Sequence, residues 1–149
     1  MSTNLFLDCE FNGFGGELVS MALVADDGRE WYAVLPEPRV WDAWVFENVL
    51  PVISAEKPTI YCNSRAEFRV SLANFLSQFH RPNIVADWYT DLVHFYSSFG
   101  GKDHSESLNF PCTSQLASDM EDIVSAVPHN ALADARAIRI SFGSSATTI

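Results

Sequence analysis

Basic residues are scarce in this chain. Nine lysines and arginines face nineteen aspartates and glutamates, giving a formal net charge of −10 at pH 7 and a pI near 4.6. That balance excludes a broad cationic face able to neutralise many phosphates of a duplex, but leaves room for a small site where bound cations meet phosphate. Charged residues are only 19% of the chain against 48% hydrophobic, which excludes an unfolded polymer and requires a packed core. Cysteine is equally sparse. Cys9, Cys62 and Cys112 form no CxxC pair, which excludes a disulfide framework and points to free thiols in a reducing, cytoplasmic setting. No apolar run approaches ~18 residues and no basic-then-apolar leader opens the chain, so no membrane partner is expected. Repeats and low-complexity linkers are missing too, and residues 1–149 read as one domain.

The first third alternates as strands do. LFLDCEF, ELVSMALVA and EWYAVLP are three successive strands, with Asp26-Asp27-Gly28 as a hairpin signal and Gly13, Gly15 and Gly16 turning the chain earlier. Trp41 to Val49 has helical spacing that Pro51 should end. Ser64-Arg65-Ala66-Glu67 has the form of a capping box and opens a helix to about Phe79, with Phe68, Leu72, Phe75, Leu76 and Phe79 as its apolar stripe. Asn83 to Ala86 reads as a short buried strand and Tyr89 to Phe99 as a helix. GGKDHSESLNFPCTS is irregular, Ser114 to Val127 is expected to be helical up to Pro128, and a last helix spans about Ala131 to Phe142 before a frayed 143–149 tail. This order predicts an α/β fold in which three antiparallel strands begin a mixed sheet.

Asp8 and Glu10 are the chemical puzzle. They follow the apolar run Leu5-Phe6-Leu7, and side chains at i and i+2 of a strand share one side of the sheet. Two adjacent carboxylates beside a core are disfavoured by repulsion and desolvation unless a positive group neutralises them. Comparable acids occur in IVADWYTDLVHFY, where Asp87 closes a strand and Asp91 begins a helix. They occur again in HNALADARAIR, where His129 precedes a helix with Asp134 in its first turn. Taken singly, Asp91 and Asp134 suit a helix N-terminus, which favours negative charge. Asp8 and Glu10 together are better explained by hard divalent cations, Mg²⁺ or Mn²⁺, which take carboxylate oxygens and complete their shells with phosphate and water. Four carboxylates from three segments would suffice for two such ions, with His129 as a candidate general base.

These motifs, Asp8-x-Glu10, Asp91, and His129 with Asp134 five residues on, resemble the DEDDh 3′-5′ exonuclease superfamily on its ribonuclease-H-like fold. The resemblance runs from residue 5 to about 142. It implies a mixed sheet of three antiparallel strands plus parallel strands, flanked by helices, and two divalent cations, Mg²⁺ or Mn²⁺, held by Asp8, Glu10, Asp91 and Asp134. It also implies His129 as base and a single-stranded nucleic-acid 3′ end as substrate. The pattern ELVSMALVADDGREWY looks closest to small bacterial and phage exoribonucleases, so RNA is expected over DNA, with nucleoside 5′-monophosphates as products. A proofreading or repair DNA exonuclease is the neighbouring alternative; a non-catalytic nucleic-acid-binding module is the third, against which the intact ligand set argues. Asp87 stands where the family usually has Asn, so Asp87 and Asp91 both stay open as the ligand of that motif.

The resemblance also places the terminal nucleotide along Phe11, Asn12, Gly13 and Phe14, where either phenylalanine would stack on a base or simply pack. Trp88 and Tyr89 invite the same pair of readings. Lys102, Arg136 and Arg139 are either phosphate contacts or surface charges, and Asp119, Glu121 and Asp122 suit a solvated helix face. His80, His94 and His104 have no spacing that suggests zinc. Family members are often dimers, and exposed aromatics would suit a homodimer interface.

Overall fold

The computed structural model describes residues 2–99, 110–117 and 123–146. Strands β1 (Asn4–Phe11), β2 (Leu18–Ala25) and β3 (Glu30–Val34) form the expected antiparallel meander. The β2–β3 turn uses Gly28 at φ +92°, a conformation that a side chain would strain, and closes by Gly28 N–H donating to the Ala25 carbonyl at 3.0 Å. A short helix α1 (Ala43–Asn48) follows, then a 3₁₀ turn over Leu50–Val52 that contains Pro51. Next come β4 (Ile60–Tyr61), α2 (Arg65–Leu76), β5 (Asn83–Ala86), α3 (Tyr89–Ser97), β6 (Thr113–Leu116) and α4 (Ala131–Ala146). The sheet order is β4-β3-β2-β1-β5-β6, with β4, β5 and β6 added in parallel to β3, β1 and β5. This mixed, helix-flanked sheet is the expected α/β architecture and is consistent with a ribonuclease-H-like fold.

The pleat sorts β1 into two layers. Leu5, Leu7 and Cys9 face the larger core, built with Phe68, Leu72, Phe75 and Leu76 of α2 and Phe95 of α3. Phe6 faces the opposite layer with Ile138 of α4, while Ala131, Leu132 and Ala135 of α4 pack on Ala22, Val24, Tyr32 and Val34. Asp8 and Glu10 therefore project toward the α4 side, and Cys9 away from it, as alternation requires. Alanines at 131, 133, 135 and 137 are all buried, so the first turns of α4 can approach the sheet closely. That approach brings Asp134 to β1.

Several boundaries differ from expectation. Thr113–Leu116 is a strand, not the start of a Ser114–Val127 helix. All four residues are exposed, so no apolar stripe draws this segment onto the core as a helix, and the free edge of β5 satisfies its backbone. Asn83 fixes the register, donating to Gln115 Oε1 at 2.8 Å and accepting from Thr113 Oγ1 at 2.9 Å. Residues 123–129 are irregular, while 118–122, with Asp119, Glu121 and Asp122, lie outside the described residues, as do 100–109 with Lys102 and His104. The two-residue β4 gave no periodic signal. The last helix extends past Phe142 to Ala146, and 147–149, the rest of the expected frayed tail, lie outside the described residues. Helices α2 and α3 stop short of Phe79 and Phe99, which close tighter turns onto the carbonyls of Leu76 and Tyr96. Ser64 caps α2 as expected, accepting from Glu67 N–H at 3.1 Å, but Glu67 reaches back to Asn63 instead of completing the box at Ser64.

Candidate active site

The sheet brings three separated segments to one edge. Strands β1 and β5 run parallel, so Asp8 and Glu10 at the end of one lie beside Asp87, just past the end of the other. Asp91 follows one helical turn later on α3, and Asp134 comes from the first turn of α4. Two triads result: Asp8, Asp87 and Asp91, and Asp8, Glu10 and Asp134. Within each, one carboxylate oxygen per residue lies within 4.8 Å of the others. Asp8 belongs to both. The structure thus brings together the four expected carboxylates and Asp87, left open as a ligand from the sequence, which stays exposed while Asp8 and Asp91 are buried.

Among the described residues no arginine or lysine forms an ion pair with these carboxylates, and His129 acts to lower the pKa of Asp134 only. Ion pairs among the described residues lie elsewhere, between Arg29 and Asp27 and between Arg136 and both Glu30 and Glu56. Burial, then repulsion from Asp91, Glu10, Asp134 and Asp87 in that order, holds the Asp8 carboxyl well above the usual carboxylate range. Burial and then the repulsion of Asp134, Asp91 and Asp87 push Glu10 up to about 9. Asp91 rises to about 8 through burial and the Asp87 charge, and burial raises Asp87 and Asp134 as well. Asp8 Oδ2 is buried with no hydrogen-bond partner. A buried, unpartnered carboxylate oxygen shared by two close acidic triads is costly in the protein alone and suits oxygen-seeking divalent cations. The residues fit such ions. The metal-ligand groupings among the described residues contain carboxylates alone, with no His or Cys.

His129 enters from the turn before α4. Its backbone is left-handed at φ +70°, a region in which His is tolerated better than most residues, and its N–H donates to Asp134 Oδ2 at 3.2 Å. The half-exposed Trp44 of α1 meets the imidazole edge-on, with ring centroids 5.0 Å apart. Asn130, fully buried, caps α4 by accepting from Ala133 N–H at 3.0 Å.

The expected substrate-contact stretch divides by role. Phe14 is 98% exposed at the tip of the β1–β2 turn, whereas Phe11 already stacks on His94 of α3, centroids 5.0 Å apart. Gly13 is at φ +78°, where an added Cβ would lie 3.0 Å from Asp42 Oδ2. The Asn12 amide is turned inward: Nδ2 donates to the Val40 carbonyl at 2.7 Å and Oδ1 accepts from Asp42 N–H at 2.8 Å. Trp88 and Tyr89 are both exposed beside Asp87. Arg136 is held by Glu30 and Glu56, and Arg139 donates to the Asp26 carbonyl, so neither points to the carboxylates. Sequence reasoning passed over Trp44 and Asn130. For Asn130 a signal existed, since Asn before an Ala-rich helical run is a capping pattern.

Fold and site define a class: a mixed α/β domain of ribonuclease-H-like form, with carboxylates from three segments converging at the end of its central strand. By sequence the chain is similar to two curated 3′-5′ exoribonucleases of Mycobacterium tuberculosis, from strains CDC 1551 and H37Rv. Identity to each is 40% over 75 residues, covering 48% of this chain and 44% of the relative. The match thus spans under half the length of those curated relatives. No family model matches the chain.

Proposed function

We propose that residues 1–149 act as one exonuclease domain, a divalent-metal-dependent 3′-5′ exoribonuclease that shortens single-stranded RNA and releases nucleoside 5′-monophosphates. The observation that carries this reading is Asp8, common to two acidic triads and holding a buried oxygen with no partner. Asp8, Glu10 and Asp134 would hold one Mg²⁺ or Mn²⁺ ion, and Asp8, Asp91 and Asp87 the other. Bound there, the ions would neutralise the carboxylates and stabilise charge on the attacking and leaving oxygens.

The chain's own residues supply the rest. The His129 imidazole takes the proton of the attacking water as its oxygen bonds to phosphorus. The bond from phosphorus to the 3′ oxygen of the preceding nucleotide then breaks, which leaves that oxygen on the shortened strand and a 5′-monophosphate as product. Phe14, exposed at the turn tip, and Trp44, half-exposed beside His129, offer ring faces to a terminal base; such stacking is worth about 1–3 kcal/mol. RNA is preferred over DNA because the curated relatives carry exoribonuclease names.

The test uses 5′-labelled RNA and DNA of one sequence, with Mg²⁺, Mn²⁺ or EDTA, and Asp8→Asn as control. A ladder shortening from the 3′ end, faster on RNA, abolished by EDTA and by the substitution, is expected. A ladder that persists in EDTA or in Asp8→Asn would refute the metal reading, and a faster DNA ladder would reassign the substrate.

A further inference from the structure

Segment 40–53, which contains α1 and the 3₁₀ turn, is tied to the rest of the fold by two asparagine amides. At its start, Asn12 bridges residues 40 and 42 through both ends of its amide, at 2.7 and 2.8 Å. At its end, Asn130 Nδ2 donates to the Val52 carbonyl at 3.0 Å and the Ile53 carbonyl at 3.3 Å. The first clamp lies two residues after Glu10, and the second lies one residue after His129. Between the clamps, α1 has six residues, too few to hold a helix unaided. Its geometry depends on the Asp42 cap, which accepts from Val45 N–H at 3.1 Å, and on burial of Val45 and Val49. Asp42 is itself held by Asn12 and lies close against Gly13. What α1 presents at the site is Trp44, edge-on to His129.

We propose that segment 40–53 is a brace, clamped by Asn12 and Asn130, that fixes Trp44 against His129 and so sets the base in register with the β1 carboxylates. Asn12 and Asn130 are thereby positioning residues. Each end of the Asn12 amide makes one hydrogen bond within the protein. The proposal rests on the active-site reading of His129 and the carboxylates. A loosened brace leaves the carboxylates in place but lets the imidazole and its neighbouring indole drift. Displacement of a reacting group by about 1 Å is enough to cost about a hundredfold in rate.

The test compares Asn12→Ala and Asn130→Ser with the 149-residue parent. Serine keeps a capping oxygen for α4 but is too short to reach the Val52 and Ile53 carbonyls. Steady-state release from RNA should show kcat lower by about 10–100-fold. KM and calorimetric Mn²⁺ affinity should each stay within about threefold, as the carboxylates have not moved. Independently, fluorine NMR of 5-fluorotryptophan protein in EDTA should show the Trp44 resonance, assigned by Trp44→Phe, shifted or broadened in both variants. The Trp31 resonance, from the opposite core, should be unmoved. Folded variants with kcat within about twofold of the parent, or with the Trp44 resonance unchanged, would overturn the brace. If the parent itself shows no metal-dependent release, the active-site reading falls, and the fluorine spectra still decide whether the brace exists.

Discussion

Replacing Glu10 by glutamine should make the metal-free protein more stable, although it removes an expected metal ligand. Glu10 keeps its proton up to about pH 9, against 4.5 ordinarily, because burial and the Asp134, Asp91 and Asp87 charges all oppose ionisation. The folded state therefore prefers the protonated form. Stability from this group is full below about pH 4.5 and is lost progressively as pH rises toward about 9. At pH 7 the loss is about 3 kcal/mol, taking ~1.4 kcal/mol for each pH unit above the ordinary value. Glutamine is neutral at every pH, but its half-buried amide costs about 1–2 kcal/mol where it finds no partner. A net gain of about 1–2 kcal/mol at pH 7 remains, or about 3–8 °C in Tm for a chain of this size. Thermal melts in EDTA at pH 4.5, 7 and 8.5 measure it. The advantage of Glu10→Gln should be absent or reversed at pH 4.5 and largest at 8.5. An equal gain at all three pH values, or a loss of stability at pH 8.5, would refute the account of Glu10 as a penalised buried charge.

Metal should reverse the ranking: Mn²⁺ at a hundred times its Kd should stabilise the parent by about 2.7 kcal/mol, and Asp8→Asn by far less, as read by Tm against metal concentration. Leu72 is fully buried on the α2 side, so Leu72→Ala should cost about 2–5 kcal/mol in urea melts while leaving kcat of the folded fraction unchanged. Ser64→Ala removes the cap that accepts from Glu67 N–H and should cost about 1 kcal/mol, whereas Ser64→Asp should restore it.

Sequence alone determined the parts of the molecule whose cause is local. The meander of β1 to β3 follows from alternation and a glycine turn, α2 from its stripe and Ser64, and the sidedness of Asp8, Cys9 and Glu10 from the two-residue period of a strand. Those carboxylates, with Asp91, Asp134 and His129, could be singled out before any coordinates, because paired acids beside a core ask for a cation. Other features depend on partners distant in the chain. Thr113–Leu116 is a strand only because β5 offers it a free edge, and a sequence window around it contains no trace of that edge. Asp87 joins the carboxylates because β5 lies parallel to β1, which places its end beside Asp8. That Asn12 holds residues 40 and 42, some thirty positions away, has no local signal, since only the fold brings them to its amide. Local periodicity therefore fixed which residues face the site. Only the packing of distant segments decided which of them touch, because hydrogen bonds and charges act through space and not along the chain.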